Sequence, residues 1–194
     1  MKLKEIPVSI YNSAKLLAIS VKRMNTTQKE EIPVIVSLTS IPSRLGTLHL
    51  TIRSILNQDV RPKKIILWLH HSLKSEIPKK LAVLESDLFE IMYSDLTCSH
   101  RKLIHSLELF PNDMMYRTNW LSLLYKEHKL NPENVIANQT RYIKYTSGGE
   151  LLPYRDWVVD ENSDFNIAAV IPIGAEGVLY PPKMLSEEVT NSKL

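Results

Sequence analysis

Cysteine, glycine and long apolar runs are what this chain of 194 residues has least of. Its one cysteine, Cys98, has no partner for an internal disulfide, and no Cys-x-x-Cys or His-Glu-x-x-His pattern points to thiol redox chemistry or a zinc site. Cys98 is read as an ordinary small residue of the interior or its margin. Only 5 glycines occur, none of them between Thr39 and Arg44, so the glycine-rich loops that cradle a dinucleotide or a nucleoside triphosphate are missing after the first predicted strand. This argues against dehydrogenases and P-loop enzymes. No apolar stretch approaches the roughly 20 residues that a membrane-crossing helix needs. The first residues, with Lys2, Lys4, Glu5 and Pro7, lack the apolar core of a secretory signal, so a cytoplasmic location is expected. Charge is nearly balanced as well: 24 Lys and Arg against 21 Asp and Glu leave +3, too little to suggest a nucleic-acid partner but compatible with a phosphate-bearing small molecule.

What remains is a chain with enough apolar material to fold, 44% hydrophobic against 23% charged, and of a length that suits one α/β domain. Between Ser9 and Met24 the residues Ile10, Ala14, Leu17, Val21 and Met24 recur at helical spacing, with Lys15, Lys22 and Arg23 among them. Residues 1–31 are therefore read as an N-terminal helical extension. Such a basic amphipathic helix can make peripheral contact with the inner membrane surface, or it can pack on the domain's own core, which is the commoner use.

Residues 32–194 are read as the domain proper. Ile32 to Leu38 is a short, branched, nearly continuous apolar run, the pattern of a strand buried on both faces. Leu48, Ile52, Ile55 and Leu56 then mark one face of a helix, and Lys64 to Leu69 a second strand. Pro78 opens a helix carrying Leu81, Val83 and Leu84, Phe89 to Tyr93 is a third strand, and Leu103, Ile104, Leu107 and Leu109 mark a further helix. Alternation of this kind predicts a parallel sheet with crossover helices, and ligands of such sheets sit beyond the carboxyl ends of the strands. Two loops fall there. Thr39, Ser40 and Arg44 lie in the first, and Asp95, Arg101 and Lys102 in the second. Hydroxyls and cations of this kind can hold a nucleotide, but they also serve as turn formers, helix caps and solvated surface groups. Trp68 and Trp120 are read as core residues, and His70, His71, His100 and His105 as solvent-facing or satisfied side chains.

Three stretches, Val34 to Arg44, Thr51 to Gln58 and Pro62 to Leu69, resemble the opening of a bacterial family of GT-A-type, family 2-like glycosyltransferases that act in surface polysaccharide or lipopolysaccharide assembly. Looser similarity continues through Arg101 to Ile104, Phe110 to Asp113, Trp120 to Pro132 and Gly174 to Pro182. The resemblance implies an α/β, Rossmann-like GT-A domain with a parallel-rich central sheet. It implies that Thr39, Ser40 and Arg44 meet the base and ribose of a nucleoside-diphosphate sugar, with Asp95 near the base. Arg101 and Lys102 fall in the family's third loop, Lys102 near the sugar or diphosphate. Glu176 and Gly177 would lie on the side of a glycan acceptor.

In the family a divalent cation, Mn²⁺ or Mg²⁺, is held by an Asp-rich motif at the end of a fourth strand. Here only the six residues Met114 to Asn119 separate Asp113 from Trp120, too few for a buried strand of about 5 or 6 residues followed by two or three consecutive aspartates, and none of the six is an aspartate. The domain is thus expected to be incomplete, shortened near 114–119 and again at its C-terminus, with no metal ligand and no cofactor of its own. Two readings follow from the resemblance: a sugar transferase impaired in this chain, or a non-catalytic remnant that binds a nucleotide sugar or a partner.

Overall fold

Three apolar runs become the strands of one sheet: β1 (Glu31–Thr39), β2 (Arg61–His70) and β3 (Phe89–Ser94). The computed structural model describes residues 6–26, 28–95, 116–159, 169–174, 177–182 and 184. The strands lie in the order β1-β2-β3 with both pairings parallel, and the strands expected at 33–38, 64–69 and 89–93 sit inside the observed ones. β1 starts by alternating, with Ile32 and Val34 buried between exposed Glu31 and Pro33, and is then buried throughout from Val36 to Thr39. One extra residue between Ile32 and Ile35 makes a bulge, beyond which Val36 and Leu38 stand opposite Ile65 and Leu67.

The crossover helix α3 (Leu45–Leu56) buries Leu48, Ile52, Ile55 and Leu56 as their spacing predicts, together with His49 and Thr51. A short helix α4 (Lys79–Ala82) starts after Pro78, a residue suited to a helix start because it has no N–H to leave unpaired. Leu81 and Leu84 turn inward there while Val83 faces out. With Leu38, Ile65, Leu67, Leu69 and Phe89 these side chains form one core. Each large apolar side chain so buried contributes about 1.5–3 kcal/mol.

The N-terminal stretch is broken in two, α1 (Ile6–Ala18) and α2 (Val21–Thr26). Its packed line is not the expected one. Leu16 and Met24 are buried and Ile19 packs against the core, whereas Ile10, Ala14 and Leu17 face solvent. The reason is the anchor: Arg53 of α3 donates from Nη1 to the carbonyls of Leu16 at 3.0 Å and Ile19 at 2.9 Å. That contact ends α1 and rotates the Leu16 side toward the body.

Helix α5 (Trp120–Leu130) follows the described segment Tyr116–Asn119, in which no residue is a strand. Met114 and Met115 lie outside the described residues. Side chains from the end of α3 hold this segment. Gln58 donates from Nε2 to the carbonyls of Ser54 at 2.9 Å and Arg117 at 2.7 Å, and its Oε1 accepts from the Leu121 N–H at 3.0 Å. The Ser54 hydroxyl accepts from the Tyr116 N–H at 3.0 Å, and the Asp59 N–H donates to the Thr118 carbonyl at 2.7 Å.

Two antiparallel pairs complete the description. β4 (Ile136–Ala137) pairs with β7 (Val178–Leu179), and β5 (Thr140–Tyr142) pairs with β6 (Val170–Pro172). The chain is a mixed α/β fold whose three-stranded parallel sheet is compatible with a Rossmann-like fragment.

Candidate functional site

Parallel pairing places the carboxyl ends of all three strands on one edge: Thr39 stands opposite Trp68, and His70 opposite Ser94, which precedes Asp95. Thr39, Ser40 and Asp95 therefore share the edge at which such sheets bind ligands. Arg44 lies one short turn farther on, in the single-turn helix Pro42–Arg44.

The hydroxyls on this edge are not equivalent. The Thr39 Oγ1 is buried and donates to the Trp68 carbonyl at 2.9 Å, so this side chain ties β1 to β2. Ser40 is only 6% exposed, and its Oγ has no hydrogen-bond partner among the described residues. A buried hydroxyl in that state costs free energy unless something else pairs with it. Asp95 and Arg44 are exposed.

Beyond β2 and β3 the edge gains groups that the sequence reading had set aside. His70 accepts at Nδ1 from the Ser72 N–H at 3.2 Å, opening the short turn His71–Leu73. The Tyr93 ring, half-buried, has the His71 ring 6.0 Å away and the Lys74 Nζ 5.8 Å from its centre. Burial pushes the Tyr93 phenol above its ordinary pKa, and the nearby Glu85 carboxylate adds to this. The hydroxyl therefore stays protonated, available as a donor. A histidine pair directly after a buried strand was the available signal for this corner. Trp68 and Trp120 are buried, as expected of core residues.

Not every residue of the sequence reading falls among the described ones. Arg101, Lys102 and Glu176 lie outside the described residues. Gly177 is buried with φ of 106°, its carbonyl accepts from the Asn138 N–H at 2.9 Å, and a Cβ added there would meet the Trp120 indole at 2.7 Å. The observed role of Gly177 is thus to seat the β4–β7 pair against α5.

Two larger cavities lie away from the edge. One of about 470 Å³ borders Pro33 and Val34 in the first half of β1, with Tyr125, His128 and Tyr180 across it. Burial also raises the pKa of that Tyr180 phenol. The other, about 510 Å³, opens beside α1 between Lys15, Asn57 and Arg117.

Among the described residues no three His, Cys, Asp or Glu side chains come together in a way that could hold a metal ion. The described carboxylates and imidazoles of the edge do not by themselves make a cation site. No protein-family model and no curated protein matches the chain.

Proposed function

We propose that this chain is a glycosyltransferase-like domain of the GT-A kind, whose carboxyl edge receives a nucleoside-diphosphate sugar. The observation that carries the reading is the edge itself: Thr39, Ser40 and Asp95 lie at the carboxyl ends of parallel strands, and the buried Ser40 hydroxyl has among the described residues no partner, one that a ribose or base could supply. Asp95 would accept from the base, Thr39, Ser40 and Arg44 would meet the base and ribose, and Lys102, with Arg101 beside it in the third loop, would supply positive charge to the sugar or diphosphate. In the transfer itself an acceptor hydroxyl attacks the anomeric carbon. The new carbon–oxygen bond forms as the bond to the diphosphate breaks, the leaving diphosphate keeps the electron pair, and the hydroxyl proton passes to a base.

Stabilising the leaving diphosphate is commonly the largest single contribution to such a rate, and losing one oxyanion donor in other enzymes costs roughly 100- to 1000-fold. The short segment Met114 to Asn119 contains none of the aspartates that hold the cation in the family the chain resembles, so no step is assigned to a metal and the chain's own cations would face the leaving group. The reading is therefore of a chain that binds nucleotide sugar and transfers it poorly to a glycan acceptor, the non-catalytic binding module being its limiting form.

Calorimetry of uridine diphosphate against the full chain tests it. Weak binding is expected, reduced by about 1–3 kcal/mol in Arg44→Ala and in Lys102→Ala, as for charge-assisted contacts. Unchanged affinity in both variants would remove the assignment of the loops. Assays with several nucleotide sugars and a glycan acceptor extract should give no transfer above background with Mn²⁺ or Mg²⁺, and metal-stimulated turnover would overturn the impaired reading.

A further inference from the structure

Helix α1 turns to solvent the kind of face that a helix of a folded domain normally buries. Ile10 is 64% exposed, Tyr11 67% and Leu17 49%. Pro7, Val8, Ala14 and Ala18 are exposed too, and Lys15 is the only charged residue in α1. On the helical wheel Leu17, Ile10, Ala14, Ala18 and Tyr11 form one continuous arc, from the edge of the packed face round to Lys15. The opposite side, with Leu16 inward, is fixed to the body by the two Arg53 contacts to α1 and its exit. The apolar arc is thus held outward by a firm attachment.

The charge within the α1–α2 stretch is of one sign, the Asp59 carboxylate lying toward its end near Lys29. From Ile6 to Lys29 the sequence contains no Asp or Glu, while Lys15, Lys22, Arg23 and Lys29 all fall there. Lys15 and Arg117 line the cleft of about 510 Å³, and Arg23 and Lys29 line a second of about 220 Å³. Asn57 borders both, so the two clefts adjoin, and among the described residues no carboxylate lines either.

We propose that the α1–α2 face docks peripherally on an anionic phospholipid bilayer, with the apolar arc of α1 at the acyl boundary and the flanking cations at headgroup phosphates. Thirteen helical residues span only about 20 Å, less than the roughly 30 Å of a hydrocarbon core, so α1 lies in the plane of the interface. None of the described helices is long and apolar enough to cross. A second copy of the chain is the weaker occupant, because a symmetric pair would bring two sets of like charge together. The inference is independent of sugar transfer.

The test is sedimentation of the full chain with vesicles of phosphatidylcholine alone or with about one quarter phosphatidylglycerol. Binding to the anionic vesicles only is expected, weakening as salt rises. The variant I10S/L17S changes exposed positions and should lower the partition coefficient by about tenfold or more. K15E, which places a carboxylate beside the arc, should lower it independently, while V83S, at an exposed apolar site elsewhere, should leave it unchanged. The proposal fails if the chain ignores anionic vesicles, or if I10S/L17S and K15E bind as the parent does. It also fails if light scattering finds a dimer that I10S/L17S dissolves, which would make a second copy the occupant.

Discussion

Replacing Gln58 by leucine keeps a buried side chain of similar volume and removes three hydrogen bonds at once. Two of them join parts of the chain about sixty positions apart: the Arg117 carbonyl and the Leu121 N–H, the latter among the unpaired donors of the first turn of α5. The N-cap residue of that helix, Asn119, makes no side-chain capping bond, so Gln58 caps α5 from the end of α3. Loss of a cap costs about 1 kcal/mol, and each buried group left unpaired about 1–3 kcal/mol. Because the segment can admit some water, a total near 3 kcal/mol is expected, a large share of the 5–15 kcal/mol of an ordinary domain. With a urea slope of about 1–3 kcal/mol/M, the unfolding midpoint should fall by roughly 1–3 M. Leu123→Ala, an exposed change on α5, should move it by under about 0.5 kcal/mol and serves as the reference. If Gln58→Leu shifts the midpoint no more than Leu123→Ala does, the capping argument is wrong.

Gly177→Ala adds a Cβ against the Trp120 indole and forces a left-handed φ on a residue with a side chain, together about 3 kcal/mol. The melting temperature should drop by about 6–12 °C, and a drop under about 2 °C would refute the close-packing reading. Ser40→Ala removes a buried hydroxyl without a described partner, so stability should hold or rise by up to about 1 kcal/mol while affinity for uridine diphosphate falls. Loss of stability with unchanged binding would show the hydroxyl to be structural. Burial lowers the pKa of His49, with Lys80 and Arg53 adding to the shift and a Gly46 backbone hydrogen bond opposing it. The folded state thus holds this imidazole neutral, whereas the unfolded chain protonates it near pH 6.5, so stability is full above that pH and declines as pH falls below it. Denaturation at pH 7.5 and 5.5 should show this loss, smaller in His49→Gln; an equal loss in the variant would assign it to other groups.

Runs such as Ile65 to Leu69 announce a buried strand because nearly every position is apolar, and in a sheet covered by crossover helices both faces need that. Once the strands are parallel, the placement of Thr39, Ser40 and Asp95 at one edge follows from topology alone. The orientation of α1 was less legible, since Leu16 and Leu17 are adjacent and periodicity favours the line of Ile10, Ala14 and Leu17. The choice is made by Arg53, more than thirty residues away, through carbonyls that no pattern of side chains encodes. Gln58 appeared only as the last residue of the stretch Thr51 to Gln58, and its distant partners are likewise backbone groups. The packing constraint on Gly177, set by its φ and the Trp120 indole, was not legible either, because it depends on a side chain more than fifty residues away.

The bulge in β1 acts as a vernier between the two ends of the sheet. Before it, Glu31 and Ile32 face Arg61 and Pro62; after it, Ile35 through Thr39 face Lys64 through Trp68 in a register displaced by one residue. In a strand one residue is half a period, so removing the inserted position would either turn the inner side chains outward or drag every later pair along β2. Five pairs, from Ile35–Lys64 to Thr39–Trp68, depend on it. At about 3.3 Å per residue, an insertion beside Pro33 thus fixes the phase in which Thr39 meets the Trp68 carbonyl, roughly 20 Å farther along the strand.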